Sequence, residues 1–217
     1  MLGWPPDMTL VVEGNAALAR EAQRRYALTA LQSDLSRIPL QDSTAAVVCL
    51  LDVIEHLESP RATLLEARRV LAPNGRLVVN VPGHPRLWSA ADEALGHVRR
   101  YSRVTLRAEL EHAGFEVVFV SHVFSWLVLP VWARRRLSSG ATPLGLDIAS
   151  PAIDAAALFL TRLERAIVTH ASLPLGTSVL CVATVHASTR AEPPTRPPRR
   201  SRGRAGAARG TGGLRTR

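Results

Sequence analysis

AAVVCLLDVIEHL, residues 45–57, holds the change of character around which the rest of the chain is arranged. Residues 46–51 are a short unbroken apolar run, the pattern of a strand buried on both faces of a parallel sheet. Polarity then switches. Asp52, Glu55 and His56 stand at i, i+3 and i+4, a spacing that places them on one face of a helical turn. Open α/β sheets bind ligands beyond the carboxyl ends of their strands, so this junction is the first place to expect a site. A solvated helix start, with acids favoured by the helix dipole, is the alternative.

Toward the N-terminus, residues 8–13 (MTLVVE) read as a strand ending on Glu13, followed by a Gly14-Asn15 turn and an Ala- and Arg-rich helix over 16–26. An acid at the tip of such a strand is placed to accept hydrogen bonds from ribose hydroxyls. Residues 29–33 form the next strand. Asp34 directly after it could accept from an adenine amino group or simply form a turn.

Toward the C-terminus, Ser59-Pro60 opens a helix over 61–71, with apolar positions at Leu64, Leu65, Ala67, Val70 and Leu71. Pro73-Asn74-Gly75 stops it and leads into a buried strand over 76–81. This strand–helix alternation predicts a parallel sheet with helices on both faces. Residues 82–101, PGHPRLWSAADEALGHVRRY, then gather His84, Trp88, Asp92, Glu93, His97, Arg99, Arg100 and Tyr101 beyond a strand's carboxyl end. A solvated surface loop is the competing reading. A helix over 105–113 ends at Gly114 and precedes a strand over 115–121. Residues 124–174 are largely apolar, with Gly, Pro and Ser breaks near 138–145 and helical periodicity over 153–167. Residues 177–185 are the last strand.

Length (217 residues) and 47% hydrophobic content suit one domain with a real core. The net charge of +9 is concentrated in residues 187–217, where nine arginines face a single acid, Glu192. That Pro/Gly/Arg-rich tail is predicted to be disordered. It lacks interleaved aromatics, so any attraction to nucleic acid would be nonspecific and salt-sensitive; contact with a membrane surface, through the tail or the apolar segment, is the other possibility. Cys49 and Cys181 fall inside predicted strands without metal-ligand spacing and read as buried free thiols. No metal site is expected. Residues 117–133 are the one candidate membrane segment, but Ser121, His122, Ser125 and Pro130 interrupt it, which favours a strand and a buried helix. With no signal peptide in evidence, the expected location is cytoplasmic.

The pieces VVEGNAALAREAQ, LQSDLSRIPL, CLLDVIEHL and VLAPNGRLVVNVP resemble the second to fifth strands and adjoining turns of class I S-adenosylmethionine-dependent methyltransferases. LRAELEHAGFEVV and PLGTSVLCVATV are similar to that family's closing helix and antiparallel last strands. The resemblance implies an α/β fold, a Rossmann-like mostly parallel sheet with an antiparallel closing strand. It implies a domain over 1–186 with an apolar helical insert at about 124–174, and S-adenosylmethionine as cofactor. By position it assigns Glu13 to the ribose, Asp34 and Leu35 to the adenine, and Leu51 with Asp52 to the methionine part. His97, then His56, are the candidate bases, since histidine titrates near neutrality. His84, Trp88, Arg100 and Tyr101 are the candidate acceptor contacts.

The family's first strand and its glycine-rich loop have no counterpart in MLGWPPDMTLVV. A reading frame beginning too late, a remnant without catalysis, or a partner that supplies the strand would each explain this. The expectation is methyl transfer to a small-molecule or lipid-like acceptor, impaired in the chain as written; a non-catalytic binding module on the same fold is the alternative.

Overall fold

The computed structural model describes residues 8–137 and 151–185. Its strands fall into two sheets. Strand β1 (Leu10–Glu13) pairs in parallel with β2 (Thr29–Gln32), and helix α1 (Ala16–Tyr26) connects them. The second sheet has the order β3-β4-β6-β5. Its strands are β3 (Ala45–Leu51), β4 (Leu71–Pro82), β5 (Glu116–Val123) and β6 (Ser178–Thr184). Strands β3 and β4 run parallel, and β6 inserts antiparallel between β4 and β5. Only β6 runs against the others, so β5 is not antiparallel as the resemblance implied. The Rossmann-like, mostly parallel α/β sheet with an antiparallel closing strand is otherwise as expected.

Local chemistry sets the element ends. Asn15 caps α1, its Oδ1 accepting from the Ala17 N–H at 2.8 Å. Helix α2 (Arg61–Val70) buries Thr63, Leu64, Ala67 and Val70, while Leu65 faces out and Leu71 already belongs to β4. Pro73-Asn74-Gly75 therefore does not stop the helix. It lies within β4 as a bulge, where one residue of β3, Ala46, opposes four of β4, 72–75, between Ala45↔Leu71 and Val47↔Arg76. Helix α4 (Arg103–His112) starts on a reciprocal Ser102–Thr105 capping pair and stops at Gly114, whose φ of +83° suits glycine.

The core lies around the larger sheet: Leu50, Ile54, Leu64, Leu71, Leu77, Val79, Val81, Leu106, Leu110, Phe115, Val179 and Cys181 are buried together. Two expectations change here. Strand β3 is a sheet edge, not a strand covered on both sides; Cys49 is exposed and Leu51 is 49% exposed. The apolar segment is less buried than its composition suggests. Helix α5 (Val128–Leu137) exposes Leu129 and Trp132, and α6 (Pro151–Val168) exposes Leu158, Phe159 and Leu163. Among the described residues no helix is long and apolar enough to cross a membrane. The predicted tail, 187–217, lies outside the described residues.

Candidate functional site

Polar side chains gather just beyond the carboxyl end of β3. Asp52 adopts φ +53°, its N–H donates to the Asn80 carbonyl at 2.9 Å, and Asn80 Nδ2 donates to Asp52 Oδ1 at 3.2 Å. One short 3-10 turn, Ile54–His56, follows. Such a turn cannot place Asp52, Glu55 and His56 on one face, as a continuous helix would. Instead Asp52 and His56 face solvent while Glu55 is fully buried.

Residues 83–101 close over this turn. The Val98 N–H donates to the Glu55 carbonyl at 2.8 Å, and Arg99 Nη2 donates to the Leu57 and Glu58 carbonyls at 3.0 and 2.6 Å. Helix α3 (Ala90–Ala94) is only five residues long, but it carries a buried hub, Asp92. Asp92 Oδ1 accepts from Arg100 Nε at 2.7 Å and meets His97 Nδ1 at 3.0 Å; Oδ2 accepts from the Ser89 N–H at 2.9 Å. Burial pushes the Asp92 carboxyl up, but Arg100 and His97 outweigh it and hold it below the usual range. His56 Nδ1 lies 3.2 Å from the Gly96 carbonyl, and its ring meets that of His97 edge-on with centroids 4.8 Å apart. Gly96, at φ +73°, aims that carbonyl.

Glu55 is the anomaly. Neither carboxylate oxygen has a hydrogen-bond partner. Burial pushes its pKa up to about 7, and the charge of Asp52 adds to the effect. Its own backbone N–H opposes the shift without reaching hydrogen-bond geometry.

The candidate residues divide accordingly. His56, His97 and Asp52 lie together. Glu13 and Asp34 are carried by the other sheet, at the adjacent tips of β1 and β2. Glu13 Oε1 accepts from the Asn15 N–H at 2.8 Å. Asp34 Oδ1 accepts from both the N–H and the hydroxyl of Ser36, the turn-forming alternative, and these bonds hold its carboxyl below the usual range. Leu35 follows, half-buried. Of the acceptor candidates, Trp88 is exposed, with Nε1 donating to Glu93 at 3.3 Å. His84 stacks flat on His122 with centroids 4.4 Å apart. Arg100 donates to Asp92 and to the Gly83 carbonyl, and Tyr101 is a core residue whose pKa burial pushes up to about 12. Sequence reasoning gave Glu55 and Asp92 no role; the one legible signal was Asp92 lying five residues before His97 in a His- and Arg-rich loop.

A mostly parallel α/β sheet with acids at its strand tips is a frame on which nucleotides bind beyond the strands' carboxyl ends. Residues 5–120 match the family described as "Methyltransferase domain", and the chain belongs to that family, among the S-adenosylmethionine-dependent methyltransferases of class I. A "Probable S-adenosylmethionine-dependent methyltransferase" of Mycolicibacterium smegmatis is 36% identical over 93 residues, which cover 42% of this chain and 36% of that one. The "Uncharacterized protein YafE" of Escherichia coli is 34% identical over 94 residues, covering 40% and 45%. This chain thus spans less than half the length of either relative. Among solved structures, geranyl diphosphate C-methyltransferase from Streptomyces coelicolor A3(2), in complex with Mg2+, geranyl diphosphate and S-adenosyl-L-homocysteine, superposes with a TM-score of 0.52 at 15% identity, covering 81% of this chain and 61% of that one. A SAM dependent methyltransferase from Archaeoglobus fulgidus gives 0.52 at 15% identity, covering 81% and 75%. At that identity these likenesses establish the fold alone.

Proposed function

We propose that this chain transfers a methyl group from S-adenosylmethionine to a small-molecule acceptor in the cytoplasm. Membership of the methyltransferase family carries the reading, supported by the polar residues Asp52 and Asn80 paired at the carboxyl end of β3. The residues present suit the cofactor at its ends. Glu13 accepts from Asn15 through Oε1 and would offer its other carboxylate oxygen to the ribose hydroxyls, Asp34 and Leu35 would take the adenine, and the half-exposed Leu51 the methionine part, with Asp52 also on the cofactor side.

S-adenosylmethionine, held by these residues, would supply an electrophilic methyl group on a positively charged sulfur. The chain's own part is alignment and proton removal. His97 takes the acceptor's proton at Nε2, because Asp92 holds Nδ1 and fixes the ring; His56 is the second candidate. His84 and Trp88 are the candidate acceptor contacts. A cleft of about 280 Å³ lined by Trp126, Leu160, Leu163 and Leu173 supports a lipid-like acceptor, or light contact with a membrane surface.

Calorimetry with S-adenosylmethionine tests this directly. Saturable binding that Glu13→Ala weakens supports it. No affinity at all favours the alternative, a non-catalytic binding module, for which the unpaired edge of β3 speaks.

A further inference from the structure

Three buried carboxylates occur among the described residues, and they differ in one respect. Asp92 is met by Ser89, His97 and Arg100. Glu164 accepts from the Phe124 N–H and from both the N–H and the hydroxyl of Ser125. Glu55 has no donor on either oxygen. A buried carboxylate without donors is costly, and it is retained where something else completes it.

What lies around Glu55 indicates the missing partner. The side-chain ligand atoms of Glu55, His56 and His97 lie within 4.8 Å of one another. Both imidazoles have Nδ1 engaged: His97 by the buried Asp92 carboxylate, His56 by the Gly96 carbonyl. That arrangement fixes the tautomer and leaves each Nε2 lone pair free, the way metal-binding histidines are oriented by their outer partners. Asp52 adds a further negative charge close enough to act on both rings.

We propose that Glu55, His56 and His97 form a binding site for one divalent cation of the zinc type. Two imidazole nitrogens with one carboxylate make a three-ligand set that leaves a position open, and nitrogen donors select zinc-like ions over Mg2+. Tetrahedral zinc needs ligand atoms about 3.4 Å apart, given bonds of about 2.0–2.1 Å. The cluster therefore has to close by up to about 1.4 Å, divided among the three side chains. The site does not depend on methyl transfer. If both hold, the ion occupies the nitrogen assigned above as base.

The test is calorimetric titration of the chelator-stripped full chain with Zn2+ and with Mg2+, together with the visible spectrum after Co2+ addition. The expected result is one equivalent of Zn2+, a Co2+ spectrum of low-coordinate type, a melting temperature raised by Zn2+, and Mg2+ affinity at least about 100-fold weaker. Glu55→Gln should abolish binding while making the metal-free chain more stable, because it removes a buried unpaired charge. His56→Gln, at an exposed position, should abolish binding without altering the fold, and so decides the matter should the first variant fold poorly. Asp92→Asn should weaken binding by about 10–100-fold. Absence of saturable Zn2+ binding, equal affinity for Mg2+, or wild-type affinity in His56→Gln overturns the proposal. Loss of S-adenosylmethionine binding with Zn2+ binding intact would overturn only the methyltransferase reading.

Discussion

The β3-β4-β6-β5 sheet and the β1–β2 pair come from the same alternation of strand and helix, yet they are held in different ways. The larger sheet is packed against Leu64, Leu106 and Leu110 and contributes nearly every buried apolar residue. The smaller unit buries Ala19 alone among its apolar residues and presents Leu10, Leu18 and Tyr26 to solvent. Among the described residues no strand pairing joins the two. What ties them is a clasp on α2: Arg69 donates to the carbonyls of Ile38 and Leu40 and to Asp42, while Glu66 accepts from the Ile38 N–H at 2.7 Å. The residues assigned to the nucleoside thus sit on the weakly held unit, and the histidine cluster on the rigid one. Binding elements are commonly drawn from the less stable parts of a fold.

Asp92→Ala tests the rigid side most severely. It strands a mostly buried Arg100 guanidinium and should cost about 3–5 kcal/mol, read by chemical denaturation. Matched truncations sharpen the contrast between sheets. Leu77→Ala in β4 should cost about 2–5 kcal/mol, whereas Leu31→Ala in β2, half-buried, should cost less than about 1 kcal/mol; equal costs would erase the distinction.

Arg69→Met should leave global unfolding nearly unchanged but loosen residues 8–44 by about 1 kcal/mol, visible as faster amide exchange there alone. The smallest effect is acid sensitivity of the same clasp. Hydrogen bonding to Arg69, then to the Ile38 N–H, holds the Glu66 carboxyl below its usual range against the opposing effect of burial. Its contribution is therefore complete above the unfolded value near 4.5 and is lost as the pH falls through the lower folded value. Wild type and Glu66→Gln should differ by a few tenths of a kcal/mol at pH 7 and converge in acid, as followed by exchange or fluorescence.

Much of this was legible in the chain itself. Periodicity and turn residues located α1, β1, β2, β5 and β6 to within a few residues, because amphipathic spacing and capping are local matters. The family motif around Leu51–His56 was equally plain. Other features were not. Pro73-Asn74-Gly75 reads locally as a helix stop, and only pairing with β3 makes it a bulge.

On its own, then, the sequence determined the order of strands and helices, the family, and which residues stand at strand tips, since each follows from spacing along one backbone. Tertiary structure alone decided that β3 is an edge among the described strands, that Arg100 bonds to Asp92 and Gly83 while Tyr101 is buried, and that Glu55 lies buried without a donor beside two oriented imidazoles. The physical reason is that burial and hydrogen-bond satisfaction depend on what distant segments bring into contact: Glu55 meets His97 across more than forty residues of chain, through the Val98–Glu55 backbone bond.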